Sequence, residues 1–419
     1  MEKTTRGITK KYFIVGYSSK SVRDELVATS VVGGKHLHDD PTFIRCAGKL
    51  LDSSDHGFRY VSPDFLKIAG EGACSFGSAF GDQMHPNVEV VACTDLDANK
   101  CRELQKRTGA AKTYPSCEEM IRHAAADKLQ AIYVATDAPS HFRLATMALE
   151  HGLHVASAVP ALFGKEQLDD IPRFLAALKK SGCVYQMNET TAFRPQCFEM
   201  RALYEAGAFG EIAYTEGEYF HFSPENAQIP SYGGWRLGLP PQYYPTHANG
   251  FYTCVTHKRF TEVSCLGIPS RQTKIYGPKA NRFGNSFGHE IAFFKTETGA
   301  SARMGVSWDL PGYGGEVGRC WGQRGCYRND RWTTNDKDAN LIAKKTKRLR
   351  NPLPPGVPGG GHGGSHGYLT DDFVRGILLK DHKVCVDVVT ALNMTLGGVY
   401  AHLSAMKGGE TLKIPEVSL

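Results

Sequence analysis

The stretch Val134–Pro160, VATDAPSHFRLATMALEHGLHVASAVP, decides the fold. It opens on the end of an apolar strand (LQAIYVAT) and passes Pro139 at the first turn of an amphipathic segment, HFRLATMALEHG. Proline fits a first helical turn because the amide it lacks has no intrahelical partner there, and Gly152 supplies the stop. A second strand, LHVASAV, then runs into Pro160. Strand, helix and strand in so few residues describe a parallel crossover, since antiparallel neighbours need only a tight turn.

The same alternation extends outward. FLKIAGEGACSFGSAF reads as a strand, a glycine turn and a helix; NVEVVACTDLD as a strand ending in an acid; NKCRELQKRTGA as a helix. KEQLDDIPRFLAALKKSG and CVYQMNE add a helix and a strand. This pattern predicts a doubly wound parallel sheet. After the helix FEMRALYEAGAFG the period changes to alternation in EIAYTEGEYFHF, FTEVSCLG, RQTKIYG and HEIAFFKTETGASARMGVSWD, which predicts a large, mostly antiparallel open sheet. A Pro/Gly-rich stretch, NPLPPGVPGGGHGGSHG, precedes a helical return, DDFVRGILL and DVVTALNMTLGGVYAHLSAMKGG. The expected class is α/β with a second, α+β domain. The expected divisions are 1–60 as an extension of unknown role, 61–187 as the dinucleotide-binding domain and 188–419 as the substrate and oligomerisation domain.

Composition narrows the function. The chain has 419 residues, 41% hydrophobic and 22% charged, and a formal charge of +6, too modest to predict a nucleic-acid partner. AKKTKRLRNP gathers Lys344, Lys345, Lys347, Arg348 and Arg350 without interleaved aromatics, and reads as a solvated basic loop. No apolar run reaches membrane-span length and the N-terminus lacks a signal-like core, so a cytoplasmic protein with no membrane partner is expected, export of a longer precursor being the alternative. The twelve cysteines are scattered without zinc-like spacing and are expected to be reduced thiols; no metal is expected.

GEGACSFG places Gly70, Gly72 and Gly77 between strand and helix, with Ser75 at the expected third-glycine position and Phe76 beside it. Such a turn lets backbone approach a pyrophosphate at a helix N-terminus. Asp95 ends the next strand, where a carboxylate accepts both ribose hydroxyls and repels a 2′-phosphate, so the expected cofactor is NAD. A structural turn and a strand-end surface acid are the alternatives.

The run from Thr136 through Pro139, His141 and Gly152 to Pro160 resembles the Gfo/Idh/MocA oxidoreductase family, as do RALYEAGAFGEIAYTEGEY, YPTHANGFYTCVT and GHGGSHGYLTDDFV in that order. The likeness covers residues from about 64 to the end. It implies a Rossmann domain holding NAD through the glycine turn, Asp95, Thr136, Pro139, His141, Ala158, Pro160 and Asn188, a sugar, glycoside or cyclitol as a small-molecule substrate, and a homo-oligomer, dimer or tetramer. It also implies a Glu-Lys-Pro triplet, of which this chain keeps only Pro160, with Ala158 and Val159 in place of the acid and the base. A family aspartate upstream of His247 is missing, and Gly250 stands for a second. Val159 together with YPTH is similar to the redox-assisted glycosidase branch of that fold, glycoside hydrolase family 109, in which NAD oxidises a ring hydroxyl, the aglycone is eliminated, water adds and the ketone is reduced.

His247 and Tyr244, three apart, could share one face of a turn or helix start, and imidazole titrates near neutrality, so His247 is the expected proton carrier. A packed histidine and a packed tyrosine are the alternatives. His366 in the glycine-rich stretch is a third catalytic candidate, or a solvent-facing residue like His362. On EGEYFHF, alternation groups Tyr219 with His221 as substrate candidates and Glu218, Phe220 and Phe222 on the other face. Arg236 is a candidate for substrate hydroxyls or a carboxylate, a surface ion pair being the alternative, and Asn188 a candidate for the nicotinamide ribose or a plain strand cap. Three readings follow: an NAD-dependent sugar oxidoreductase, a redox-neutral glycosidase, and a catalytically silent NAD-binding regulator.

Overall fold

The structure is a computed structural model that describes residues 31–32, 35–36, 66–71, 85, 87–223, 234–312, 314–354 and 356–419. Gly72, Ser75, Phe76 and Gly77, and nearly all of the expected 1–60 extension, lie outside the described residues.

The first strands are β1 (Leu66–Glu71), β2 (Val88–Thr94), β3 (Lys112–Tyr114), β4 (Ala131–Val134), β5 (His154–Ser157) and β6 (Tyr185–Met187). They form a six-stranded sheet in the order β3-β2-β1-β4-β5-β6, the doubly wound order the sequence predicts. Helices α1 (Ala98–Thr108), α2 (Cys117–Arg122), α3 (Ala138–Glu150) and α4 (Ile171–Ser181) alternate with them. Each boundary has a local cause. The Asp97 carboxylate accepts from the amides of Asn99 and Lys100 to start α1, Gly109 closes it in the left-handed region at φ 69°, and Ser116 starts α2 by accepting from Glu119 N. KEQLDDIPRFLAALKKSG forms a 3-10 turn, Lys165–Asp170, before α4, because Pro172 sits at a helix start.

The second sheet has eight strands: β7 (Ile212–Phe220), β8 (Phe260–Pro269), β9 (Phe287–Thr296), β10 (Ser301–Ser307), β11 (Gly315–Gly322), β12 (Cys326–Arg328), β13 (Arg331–Thr333) and β14 (Leu412–Lys413), ordered β13-β12-β11-β7-β10-β9-β8-β14. Every pair is antiparallel except β7 with β10. Among the described residues five more helices follow: α5 (Pro195–Glu205), α6 (Thr246–Thr256), α7 (Lys337–Lys345), α8 (Gly361–Leu378) and α9 (Val388–Met406).

Two expectations need correction. RQTKIYG is not a strand: side chains bind the backbone there, with Asn281 donating to Ile275 O at 2.8 Å and accepting from Asn285 N at 3.0 Å, and these local bonds replace a ladder. The basic run starts inside α7, which Asp336 caps and which buries Ala339 and Ala343, so Lys344 and Lys345 are its last turn and complement the helix dipole.

The chain divides into two compact units, one comprising the residues up to Tyr133 with Arg350–Val384, the other Val134–Leu349 with Cys385–Leu419. In the first, buried His85, just before β2, lies 3.2 Å from Asp371 on α8. In the second, all eleven residues of α6 are buried. Two glycines set how closely α6 approaches the sheet. A Cβ on Gly217 of β7 would stand 2.1 Å from Ala248 O, and one on Gly318 of β11 would stand 2.0 Å from the Phe251 ring. The helix therefore lies directly on the strands, and burial of Phe251, Tyr252 and Val255, all fully inaccessible, holds it there at about 1.5–3 kcal/mol per large side chain. This contact brings the first turn of α6 beside the end of β7. Among the described residues no helix is long and apolar enough to cross a membrane.

Candidate functional site

The first turn of α6 carries His247, and the chain leaving β6 supplies its partner. Asn188 N donates to Ser157 O at 2.7 Å, its Oδ1 accepts from Gln186, and the next residue, Glu189, begins a 3-10 turn by accepting Thr191 N at 2.8 Å. The same Glu189 Oε1 accepts from His247 Nδ1 at 2.7 Å. A second carboxylate, Glu316 on β11, lies 4.0 Å from that nitrogen. Glu316 is bound in turn by the Arg194 guanidinium, through Nε and through Nη2 at 2.8 Å, and by the Thr191 hydroxyl at 3.0 Å. Glu189, His247 and Glu316 are all buried, so the charges act in a poorly screened environment.

Burial alone would neutralise both members of the pair, and the pair overrides it. Desolvation pushes the His247 pKa down, but the Glu189 and Glu316 charges and the Glu189 hydrogen bond raise it above the ordinary 6.5. Desolvation likewise pushes Glu189 up, yet the His247 charge, its hydrogen bond and the Thr191 amide bring it down to about 2. With Nδ1 committed to the carboxylate, Nε2 is the nitrogen through which this histidine can exchange a proton with a substrate.

Aromatic rings surround the imidazole. Tyr219, at the end of β7, meets it edge-on at 4.5 Å, and Tyr244 lies 5.7 Å away, so Tyr244 and His247 share a face as their spacing predicts. Trp308 stands 5.6 Å from Tyr219 and 6.0 Å from Tyr244. Burial raises the pKa of both tyrosines, which stay protonated and able to donate. Arg236 lies over the Trp235 ring at 4.3 Å and the Tyr244 ring at 5.4 Å. His221 is exposed beyond the strand end, its ring 6.0 Å from Tyr219.

The loop after β5 belongs to the same unit. Ala158 N donates to Val134 O at 2.7 Å, the Val159–Pro160 peptide is cis, and Val159 and Pro160 are buried. His141 is fully buried, with ring nitrogens 3.1 Å from Pro160 O and from Thr136 O; burial lowers its pKa despite those two bonds. It ties the chain after β4 to the chain after β5. Thr136 Oγ1 lies 2.6 Å from Ser140 Oγ, and Pro139 O accepts from Gln167 at 2.7 Å. Phe163 packs edge-on against Trp235 at 5.9 Å and Tyr243 at 5.7 Å, connecting this loop to the segment that carries Arg236 and Tyr244.

The other unit holds the remaining candidates. Asp95 follows β2, nearly buried, its Oδ1 accepting from Asp97 N at 2.9 Å; Gly70 lies within β1. His366 lies in α8 with its Nε2 2.9 Å from His362 Nδ1. Taken unit by unit, the donors fit a dinucleotide: in the first, a carboxylate follows β2, where a ribose diol is held in a doubly wound sheet, and in the second, Thr136 and the Ala158–Pro160 backbone follow β4 and β5.

Glu189 and Glu316 escape the sequence reading. Glu189 is one residue past the candidate Asn188, and Glu316 sits in a glycine-flanked strand, GGEVGR, whose lone acid is the available signal. Gly250 in place of a family acid also has a packing reason, since a Cβ there would meet Thr191 at 3.2 Å.

Sheet order and donor set define a dinucleotide-binding oxidoreductase fold with a sheet-based second domain. Residues 67–189 match the sequence model of the Gfo/Idh/MocA oxidoreductase family, NAD-binding Rossmann fold. A glycosyl hydrolase family 109 protein from Bacteroides fragilis is 28% identical over 183 residues, covering 39% of this chain, which spans only 37% of that relative's length. Two solved structures share the fold over 84% of this chain. An inositol dehydrogenase homologue with NAD+ from Azotobacter vinelandii has TM-score 0.65 at 16% identity and is 98% covered; scyllo-inositol dehydrogenase from Lactobacillus casei has TM-score 0.63 at 14% and is 99% covered.

Proposed function

We propose that this protein is an NAD-dependent enzyme that oxidises a hydroxyl of a sugar, glycoside or cyclitol, with His247 as the proton acceptor. The observation that carries this reading is the buried Glu189–His247 pair, bonded at 2.7 Å and ringed by Tyr219, Tyr244 and Trp308. Aromatic walls suit the apolar faces of a pyranose or cyclitol, and phenols kept protonated by burial donate to its oxygens.

In this mechanism Tyr219 and Tyr244 orient the ring, His247 Nε2 takes the hydroxyl proton, and Glu189 holds the imidazole and stabilises the imidazolium that forms. Glu316 adds a second carboxylate, which the Arg194 fork holds in place. When bound, NAD would supply the hydride acceptor; Asp95, Thr136 and the Ala158–Pro160 backbone are the groups that would hold it. Asn188 and Pro139 shape that cradle, and His141 fixes the two loops against each other.

A second reading, redox-neutral glycoside cleavage, is favoured by the family 109 relative and by the loop after β5, whose Ala158, Val159 and Pro160 carry no ionisable group. There, oxidation beside the anomeric carbon would acidify a ring proton, and His247 would serve elimination and re-reduction in turn. Purified protein is incubated with aryl glycosides and free sugars, with and without added NAD, while aglycone release and the NADH band are followed together. Net NADH formation requiring free NAD supports the oxidoreductase; sustained aglycone release without net NADH supports the glycosidase and overturns net oxidation. Absence of both, over a broad sugar panel in a protein that binds NAD, overturns both and leaves the silent regulator. The domain division at 187/188, the cytoplasmic compartment, the homo-oligomer and a catalytic role for His366 belong to this proposal as well.

A further inference from the structure

Arg236 is a cation that the hydride-transfer scheme does not use. Four other arginines of its unit are committed: Arg194 to Glu316, Arg201 to the main-chain oxygens of Ala192 and Cys254, and Arg303 and Arg319 to Glu216 and Glu218. Arg236 has no carboxylate within ion-pair distance among the described residues, and its guanidinium lies against Trp235 and Tyr244. Its backbone is fixed: Leu237 N donates to Gly234 O at 2.9 Å, Leu239 N to Arg236 O at 3.0 Å, and Trp235 is buried on Phe163. A rigid turn therefore holds the cation beside Tyr244 without a neutralising acid.

Trp308 provides an independent observation. Its side chain is 4% exposed, its ring packs on Tyr219 and Tyr244, and its indole N–H is buried with no acceptor among the described residues. An unpaired buried donor costs about 1–3 kcal/mol, so a site that keeps one is built for an acceptor that arrives from outside. Two donor groups thus flank Tyr244: a guanidinium without a carboxylate partner and an indole N–H without an acceptor, both among the described residues. A planar guanidinium matches a carboxylate through two parallel hydrogen bonds, and stacking on aromatic faces leaves its edge available for them.

We infer that Arg236 and the Trp308 indole N–H bind a carboxylate carried by the sugar, so that the substrate of this site is a sugar acid or its glycoside. The inference rests on the sugar-directed reading above. It makes Arg236 and Trp308 specificity-determining residues, distinct from the Glu189–His247 pair that handles the proton.

The test is equilibrium binding to the full-length, NAD-loaded protein, read by calorimetry and by tryptophan fluorescence, so that turnover is not needed. The probes are glucuronate and galacturonate, their neutral counterparts glucose and galactose, and the corresponding 6-phosphates. The uronates are expected to bind at least about tenfold tighter than the neutral sugars, which corresponds to about 1.4 kcal/mol. Arg236→Gln should abolish that preference while changing neutral-sugar and NAD affinity less than about twofold. Arg236→Lys should retain part of it, because the charge remains and the fork is lost. Trp308→Phe should weaken uronate binding more than neutral-sugar binding. Equal binding of acidic and neutral sugars, a preference that survives Arg236→Gln, or tighter binding of the phosphates overturns the inference while the sugar-directed reading stands. Binding of no sugar at all overturns both.

Discussion

The unit that carries the candidate site contains two buried Glu–His pairs of nearly identical geometry and different surroundings. Glu189 accepts from His247 Nδ1 at 2.7 Å, and Glu290 of β9 accepts from His402 Nδ1 of α9 at 2.7 Å. The second pair is closed: Glu290 Oε2 accepts Gln242 N at 2.7 Å, the Gln242 side chain reaches Met304 O at 3.3 Å, and Tyr243 covers the His402 ring at 4.7 Å. Its polar neighbours are the backbone and side-chain amides of Gln242, which are spent on Glu290 and Met304. The first pair is met by another carboxylate, two tyrosines and a tryptophan, groups able to bind a polar ligand. Both pairs hold the segment Gln242–His247, one at each end, so a Glu–His bond is by itself no mark of chemistry. What surrounds the imidazole decides its role.

Variants can break this comparison. The largest expected effect is on turnover: His247→Gln should lower kcat by about 10²–10⁴, the span of general acid–base contributions, while the protein stays folded by circular dichroism. The corresponding His402→Ala should do the reverse. It leaves the Glu290 carboxylate buried without its partner and should cost about 3–5 kcal/mol in denaturant unfolding, with kcat per folded molecule little changed at low temperature. A turnover loss in His402→Ala equal to that of His247→Gln would erase the distinction.

Next in size is the contact that positions α6. Gly217→Ala forces a methyl toward Ala248 O, where a Cβ would stand at 2.1 Å, and should destabilise by about 1–3 kcal/mol while lowering kcat, because His247 shifts away from Tyr219. Unfolding midpoints and kinetics on one preparation check it. Acid unfolding offers a further comparison. The Glu189 pKa is lowered from 4.5 to about 2, so its contribution is present above 4.5 and is lost as pH falls through that window; Glu189→Gln should flatten the loss there. The smallest effect is expected on the open face of the second sheet, where Glu216 and Glu218 pair with Arg303 and Arg319. These groups are partly exposed, so Arg319→Ala should cost no more than about 1 kcal/mol and less at high salt.

The doubly wound half was legible in the sequence because its strands and helices have distinct periods and end at Gly and Pro. The change to alternation at EIAYTEGEYFHF likewise marked the second sheet. RQTKIYG misled because alternation is only one condition for a strand, and Ser270, Asn281 and Asn285 can satisfy the backbone locally. The strands CYR and RWT were too short and polar to register as a hairpin. At the site, Tyr244 and His247 were legible because three residues on one chain fix their relation. Glu189 and Glu316 reach His247 across 58 residues and from a separate strand, and a pairing of that kind is set by tertiary packing alone.

The central claim is that His247, held by Glu189, accepts the substrate proton. The most direct measurement is the pH dependence of the hydride-transfer step in single turnover, for the native protein and for Glu189→Gln. The base must be neutral to act, and its pKa is raised by Glu189 and Glu316, so the native rate should climb with pH through an apparent pKa above 6.5. In Glu189→Gln that limb should move to lower pH and the plateau should fall. A limb at the same pH in both proteins, or a rate independent of pH across this range, would contradict the account.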